Sequence, residues 1–158
     1  MKKSVFVVFL LVTLLTLGGC RVNNGDIGPL YGIWVLDEMK VDGEVYQGWK
    51  NALYPNTFFQ FQNNICFVTR TSDRYDADNR VCTWQWLDYD TKMELDFSHV
   101  DNELPIPGGY RYRAPEWLLL TESVKYDFEV VWSGKKQMTW STVNTEGKLL
   151  SFSLQKIY

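Results

Sequence analysis

The sequence is poor in the residues that metal and thiol chemistry require. It has one histidine, His99, and three cysteines, Cys20, Cys66 and Cys82. No cluster of four Cys or His ligands can be assembled from these, so we expect no zinc site and no cofactor. A Gly-x-Ser-x-Gly elbow, a phosphate-binding glycine loop and a His-Glu-x-x-His helix are also absent from the sequence. These absences favour a protein that is not an enzyme.

Positive charge is scarce as well. The 158 residues carry a formal net charge of −3 and present no basic stripe, so nucleic acid is not expected as a partner. Two of the lysines, Lys2 and Lys3, precede an apolar run from Val5 to Leu17. That run covers about 20 Å as a helix, which is short for a bilayer core of ~30 Å. Residues 1–19 are therefore interpreted as a signal peptide.

The end of this segment, Leu17-Gly18-Gly19-Cys20, resembles a bacterial lipobox. In proteins with that motif the cysteine receives a diacylglycerol on sulfur, the chain is cut before it, and the new amine is acylated. The alternative is an ordinary secretory signal followed by a chance cysteine. In enterobacterial lipoproteins an Asp after the cysteine favours the inner membrane. Because Arg21 stands here, the resemblance implies an outer-membrane anchor, for which we favour the periplasmic face.

Cleavage before Cys20 would remove nineteen residues, including two lysines, and leave 139 residues with a net charge of −5. A chain of that length forms one domain with a sizeable core. The polar, Asn- and Gly-containing residues 20–30 are interpreted as the lipidated cysteine and a flexible tether, and residues 31–158 as the domain. This mature chain keeps 23 of the 25 aromatic residues, which is more than a domain of its size usually carries.

Alternation of apolar and polar residues at period two dominates from residue 31 onward. No stretch has a convincing helical period, and Pro and Gly in 99–115 predict a loop. The pattern predicts an all-β domain of eight or nine short antiparallel strands, as a closed barrel or a sandwich. The expected strands are 31–40, 57–62, 65–70, 80–87, 92–98, 117–121, 125–132, 137–143 and 148–157.

The opening of the first strand, Gly32-Ile33-Trp34, favours the barrel. A Gly-x-Trp at this place, followed by an up-and-down meander, resembles the lipocalin superfamily, and with the lipobox it is most similar to the lipocalin-like lipoproteins of Bacteroidetes. The resemblance implies that Trp34 closes the narrow end of the barrel against a cation from the last strand. Lys156 is the candidate cation, although lipocalins usually present Arg, and Gly32, Trp34 and Lys156 form the expected barrel closure. Such a contact contributes about 0.5–2 kcal/mol.

The two remaining cysteines fall on neighbouring strands of the expected meander. Cys66 lies four residues before the end of its strand and Cys82 two residues after the start of the next. Folding the hairpin about the 71–79 loop places them almost opposite each other. An exported protein can oxidise such a pair, so we expect a Cys66–Cys82 disulfide. Two buried free thiols are the alternative.

Several tryptophans share a strand face or a hairpin. Alternation places Trp84 and Trp86 on the face that carries Cys82, and Trp132 and Trp140 lie symmetrically about the turn at 133–136. Such residues fill a barrel and pair across strands without any ligand. The alternative is that some of them line an apolar pocket.

The expected ligand site takes its location from the resemblance. Lipocalins carry a lid over the mouth of the barrel after the first strand, and the 99–115 loop supplies aromatic and basic residues in alternation. We therefore expect a small hydrophobic or amphipathic ligand at a rim formed by Tyr46, Trp49, Tyr54, Tyr110, Arg111 and Arg113.

Three functions follow from these observations. The main hypothesis is a lipid-anchored, lipocalin-like protein of the cell envelope that binds a small, partly apolar ligand. The second is an envelope interaction module with a filled barrel, which binds a protein or a glycan through surface aromatics. The third is a hydrolase that uses paired carboxylates. For that reaction Glu94 and Asp96 are the nearest pair, but alternation places them on a solvated outer face.

Overall fold

The computed structural model describes residues 25–50, 56–71, 77–101 and 110–158. The signal peptide and Cys20 lie outside the described residues. Among the described residues, none of the helices is long and apolar enough to cross a membrane. The elements are two 3-10 helices, Gly25–Leu30 and Glu116–Leu118, and strands β1 Gly32–Val41, β2 Glu44–Val45, β3 Thr57–Gln62, β4 Ile65–Thr71, β5 Ala77–Asp88, β6 Lys92–Asp96, β7 Val100–Asp101, β8 Tyr110–Arg111, β9 Lys125–Gly134, β10 Gln137–Val143 and β11 Leu149–Lys156.

Eight strands form one closed antiparallel sheet in the order β11-β10-β9-β6-β5-β4-β3-β1. The last strand pairs back onto the first, with Trp34 opposite Lys156 and Val41 opposite Leu150. The short β2 adds a ninth strand beside β1, and β7 and β8 form a separate two-stranded ribbon. The prediction of a single antiparallel β-barrel is therefore confirmed.

Alternation along each strand separates the interior from the surface. In β9, Tyr126 and Phe128 are buried while Asp127 and Glu129 are exposed. Interior aromatic rings contact one another across the barrel, since Trp140 lies 5.0 Å from Phe59 between ring centroids. The fully buried large side chains include Trp34, Met39, Phe61, Met93, Leu95, Phe97, Phe128, Trp140 and Phe152. These side chains occupy the volume in which an open barrel would hold a ligand.

Two local expectations were wrong. The predicted strand at 117–121 contains the second 3-10 helix instead, followed by Leu119 in the left-handed conformation at φ 56°. A half-buried strand would turn adjacent side chains to opposite faces, whereas Trp117 and Leu118 are both buried. Trp132 and Trp140 do not meet across their hairpin either. A register shift at the start of β10 places Trp132 opposite Met138 and Trp140 opposite Val130.

Candidate functional site

One end of the barrel is covered by the first 3-10 helix, and we call it the capped end. It comprises that helix, the start of β1, the end of β11 and the turns that follow β3, β5 and β9. Ile27 and Leu30 of the helix are buried in the core, and Trp34 Nε1 donates a hydrogen bond of 2.9 Å to the Leu30 carbonyl. Residues 25–30 therefore do not belong to a flexible tether as predicted, because their apolar side chains pack on the barrel.

The residues expected to close the barrel meet at the capped end. Lys156 Nζ lies 5.4 Å from the ring centroid of Trp34 and donates a hydrogen bond of 3.1 Å to the Pro29 carbonyl. Burial lowers the pKa of Lys156 below its ordinary value, and the neighbouring charge of Lys136 lowers it further. A Cβ on Gly32 would collide with the Tyr158 carbonyl oxygen, so the first strand requires glycine at this position.

A cleft of about 480 Å³ opens at the capped end between the turns after β3 and β5. It forms because β4 stops before the end of β5. The last ladder bond on that side runs from the Trp84 amide to the Asn64 carbonyl, and the rest of β5, Gln85–Asp88, extends past β4. We call this feature the end cleft; its lining residues are Ile27, Asn63, Asn64, Trp84, Gln85, Trp86 and Tyr89.

Three aromatic rings follow one another along the end cleft. The centroid of Trp86 lies 5.9 Å from that of Trp84 and 5.8 Å from that of Tyr89. Trp84 is buried, Trp86 is half-buried, and Tyr89 is 59% exposed. The Trp84 indole nitrogen is buried without a hydrogen-bond partner. Leaving a buried donor unpaired costs about 1–3 kcal/mol.

The expected ligand rim is not found at the end cleft. Trp49 and Tyr46 belong to the segment after β2, at the other end of the barrel; Trp49 is buried and Tyr46 half-buried against the core. Their packing role explains the aromatic content of that segment. Arg113 is exposed beyond β8. Tyr54 lies outside the described residues, as do the side chains of Tyr110 and Arg111.

Cys66 and Cys82 are direct partners in the β4–β5 ladder, as expected, but they are buried free thiols. The predicted disulfide is absent from the structure. The bond between the Trp84 amide and the Asn64 carbonyl, two residues along, makes the cysteines a hydrogen-bonded pair of the ladder. In such pairs the Cβ atoms are farther apart than in the alternate pairs, which is unfavourable for a disulfide. Burial is the main reason why the pKa of the Cys82 thiol is raised, which favours the protonated thiol.

The carboxylates of β6 are less solvated than predicted. The side chains of Glu94 and Asp96 are only 13% and 9% exposed, because Lys125 lies over both, at 3.0 and 3.4 Å. Burial favours a raised pKa for Asp96, but hydrogen bonds from Ser98 and Lys125 and the charge of His99 outweigh it and lower the pKa below 3.8. Glycoside hydrolysis needs a carboxylic acid whose pKa is raised, so Asp96 does not fit that role.

Metal ligands are not gathered in the described part of the chain, where no group of three or more His, Cys, Asp or Glu side chains is placed to hold an ion. A second cleft, of about 540 Å³, lies on the other side of the first 3-10 helix. Its lining includes Asp90, Lys135, Lys156 and Trp132. Trp132 Nε1 donates to the Asp90 carbonyl at 2.7 Å, which ties the β5–β6 turn to β9. This cleft has charged side chains in its lining, whereas the described residues that line the end cleft are all neutral.

No protein-family model and no curated protein matches the chain. Among solved structures, an uncharacterised protein from Bacteroides eggerthii DSM 20697 is 14% identical, with a TM-score of 0.52 over 80% of this chain and 98% of its own. A redesigned β-barrel, b11L5F_LGL, is 14% identical, with a TM-score of 0.48 over 89% of this chain and 98% of its own. Another, mFAP1 bound to DFHBI, is 17% identical, with a TM-score of 0.43 over 81% and 95%. The Bacteroides similarity shows a shared fold.

Proposed function

We propose that the protein is a lipid-anchored, lipocalin-like binding protein of the cell envelope that takes a small, partly apolar ligand in the end cleft and carries out no catalysis. The observation that carries the proposal is the combination, in one concave site, of the Trp86 and Tyr89 rings with the side-chain amides of Asn63 and Asn64. Ligand sites typically combine an apolar lining with a few polar groups that fix orientation.

The filled interior supports binding outside the barrel. Trp140 and Phe61 are both fully buried, and their ring centroids are 5.7 Å apart in the middle of the barrel. A ligand therefore binds at the surface, and the end cleft offers it about 480 Å³ where β5 extends past β4. A site at this location agrees with the main hypothesis in taking a small ligand. It agrees with the second hypothesis in using aromatic side chains outside the barrel.

The proposed anchor gives the end cleft an orientation in the envelope. Gly25, the first residue of the first 3-10 helix, follows Cys20 by five positions. Five residues span at most about 18 Å when fully extended. If Cys20 carries the lipid, the capped end faces the membrane, and the ligand enters close to the bilayer surface.

Replacing Cys20 with serine is expected to move the protein from the membrane fraction to the soluble fraction, because serine has no thiol to accept the diacylglycerol. The measurement is fractionation of cells that express the full chain. Cys66→Ala is the control, since it leaves the lipobox intact and should stay with membranes. Membrane association of Cys20→Ser equal to that of the native chain would contradict the anchor.

Binding at the end cleft is expected to raise the fluorescence of Nile red, a neutral apolar dye. Tyr89→Ala and Trp86→Phe should weaken that binding, since they remove or shrink the exposed rings of the cleft. Tyr158→Ala is the matched control, because Tyr158 is an 82% exposed aromatic at the same end that does not line the cleft. A native protein that does not bind the dye, or equal binding by all three variants, would refute this site.

A further inference from the structure

Among the described residues, the side chains that line the end cleft carry no charge, although charge is common elsewhere in the chain. All seven lining side chains are neutral, whereas the second cleft contains Asp90, Lys135 and Lys156 and another surface cleft contains Lys125 and Asp127. An ionic ligand would leave water without finding a counter-charge at the end cleft, which is unfavourable. The lining therefore selects for a neutral ligand.

The rings of the end cleft face in different directions. The plane of Trp86 is turned by 89° from that of Trp84 and by 57° from that of Tyr89. A flat aromatic ligand can stack on one such ring or meet another with its edge, so the angles do not exclude it. A puckered ring with C–H groups on several sides can contact Trp86 and Tyr89 at the same time.

The polar side chains of the end cleft are amides, which can form hydrogen bonds with the hydroxyl groups of a ligand. Asn63 and Asn64 have exposed side-chain amides, each with donors and an acceptor. The Gln85 side chain lies on the opposite face of β5 from Trp84 and Trp86, where its Nε2 donates to Glu94 Oε1 at 3.0 Å. A hydroxyl group can accept from the N–H group of one amide while donating to the oxygen of the other.

From these features we infer that the ligand of the end cleft is a neutral saccharide of one or two rings. The C–H groups of a pyranose contact Trp86 and Tyr89, and its hydroxyls bond to the side-chain amides of Asn63 and Asn64. The inference rests on the proposed function, because it names the ligand class of the same site. The volume of about 480 Å³ suits a ligand of this size.

The test uses cellobiose, maltose and the disaccharide of N-acetylglucosamine in calorimetric titrations, with indole N–H signals followed by two-dimensional NMR. At least one disaccharide is expected to bind and to shift the Trp86 indole signal, identified by its loss in Trp86→Phe. Asn64→Ala removes one amide of the lining and should weaken binding about two- to tenfold, the value of one neutral hydrogen bond. Tyr89→Ala should weaken binding further, and Tyr158→Ala should leave it unchanged. Thermal melting of each variant establishes that it is folded.

The outcomes separate this inference from the proposed function. Disaccharide that displaces Nile red supports both. Nile red binding that depends on Tyr89, with none of the three disaccharides binding, overturns the saccharide and leaves the proposed function standing. Displacement of the dye by a fatty acid or a phosphate monoester but by no disaccharide also overturns it. Binding of neither dye nor disaccharide overturns both.

A saccharide near the bilayer can be free or carried on a lipid. Vesicles that contain a neutral glycolipid, compared with vesicles of phospholipid alone, distinguish the two sources in the protein that lacks residues 1–20. Preferential binding to glycolipid vesicles through Tyr89 identifies a lipid-borne sugar. Binding of the disaccharides without any preference among vesicles identifies a free one. The inference is contradicted if the protein binds vesicles equally with and without glycolipid and with and without the Tyr89 ring, and if no disaccharide binds.

Discussion

Gly32→Ala is expected to lower the free energy of unfolding by at least about 3 kcal/mol, through backbone strain and a steric clash together. Gly32 has φ +124°, a conformation that L side chains rarely adopt. Its Cβ would collide with the Tyr158 carbonyl oxygen and lie 2.8 Å from Lys156 Cε. That carbonyl accepts from the Ile33 amide at 3.3 Å, where β1 meets the end of the chain. The added methyl group would therefore separate the strands that close the barrel.

Urea unfolding of Gly32→Ala is compared with that of Gly43→Ala. The comparison separates the cost of the steric clash at Gly32 from the cost of backbone strain, which both variants share. Gly43 also has a positive φ, +89°, but nothing lies within 4 Å of a Cβ built there. We expect Gly43→Ala to cost about 1–3 kcal/mol, for backbone strain alone. If the two variants lose equal stability, the close approach of Tyr158 and Lys156 to Gly32 contributes nothing and the closure has been misread.

The sequence predicts the barrel well because alternation and turn residues act locally. β3 and β10 have the predicted bounds, 57–62 and 137–143, since a turn signal flanks each of them. The partnership of Trp34 with Lys156 is present in the β1–β11 ladder, as the resemblance implied. The register shift at Met138 was not predictable, because a bulge inserts one residue without any change in the apolar pattern.

The end cleft could be predicted only in part. Alternation correctly placed Trp84 and Trp86 on one face. The start of β4 at Ile65 was also predicted, but the sequence did not reveal that its pairing with Thr83 would leave the end of β5 open on that side, nor that Ile27 would pack beside it. Both depend on how segments distant in sequence meet. Trp49, which the resemblance places in a lid, is buried against the core, and its role at a ligand site stays a prediction.

Trp140→Ala is expected to destabilise the protein by about 3–5 kcal/mol, which is a large part of the stability of a typical domain. Trp140 is fully buried, and its ring centroid lies 5.0 Å from that of Phe59, 5.7 Å from that of Phe61 and 5.8 Å from that of Phe128. Removal of the indole leaves a void among aromatic rings that cannot close fully, because β3, β9 and β10 are each paired on both sides. Val131→Ala, at a 62% exposed position on β9, is the control and should change stability by less than about 0.5 kcal/mol.

The same variant tests whether the native barrel is filled. Added indole should raise the melting temperature of Trp140→Ala, since the void has the shape of the lost side chain and an apolar cavity of that size binds a matching ring. Native protein should gain no stability from indole through its interior, because Trp140 already occupies that volume. If Trp140→Ala fails to fold, Trp140→Phe replaces it in the test. Its loss of stability should be smaller, and added benzene should raise its melting temperature by a smaller amount. An equal gain in native protein and in Trp140→Ala would mean that the barrel holds an open cavity, and the ligand would then belong inside the barrel and not at the capped end.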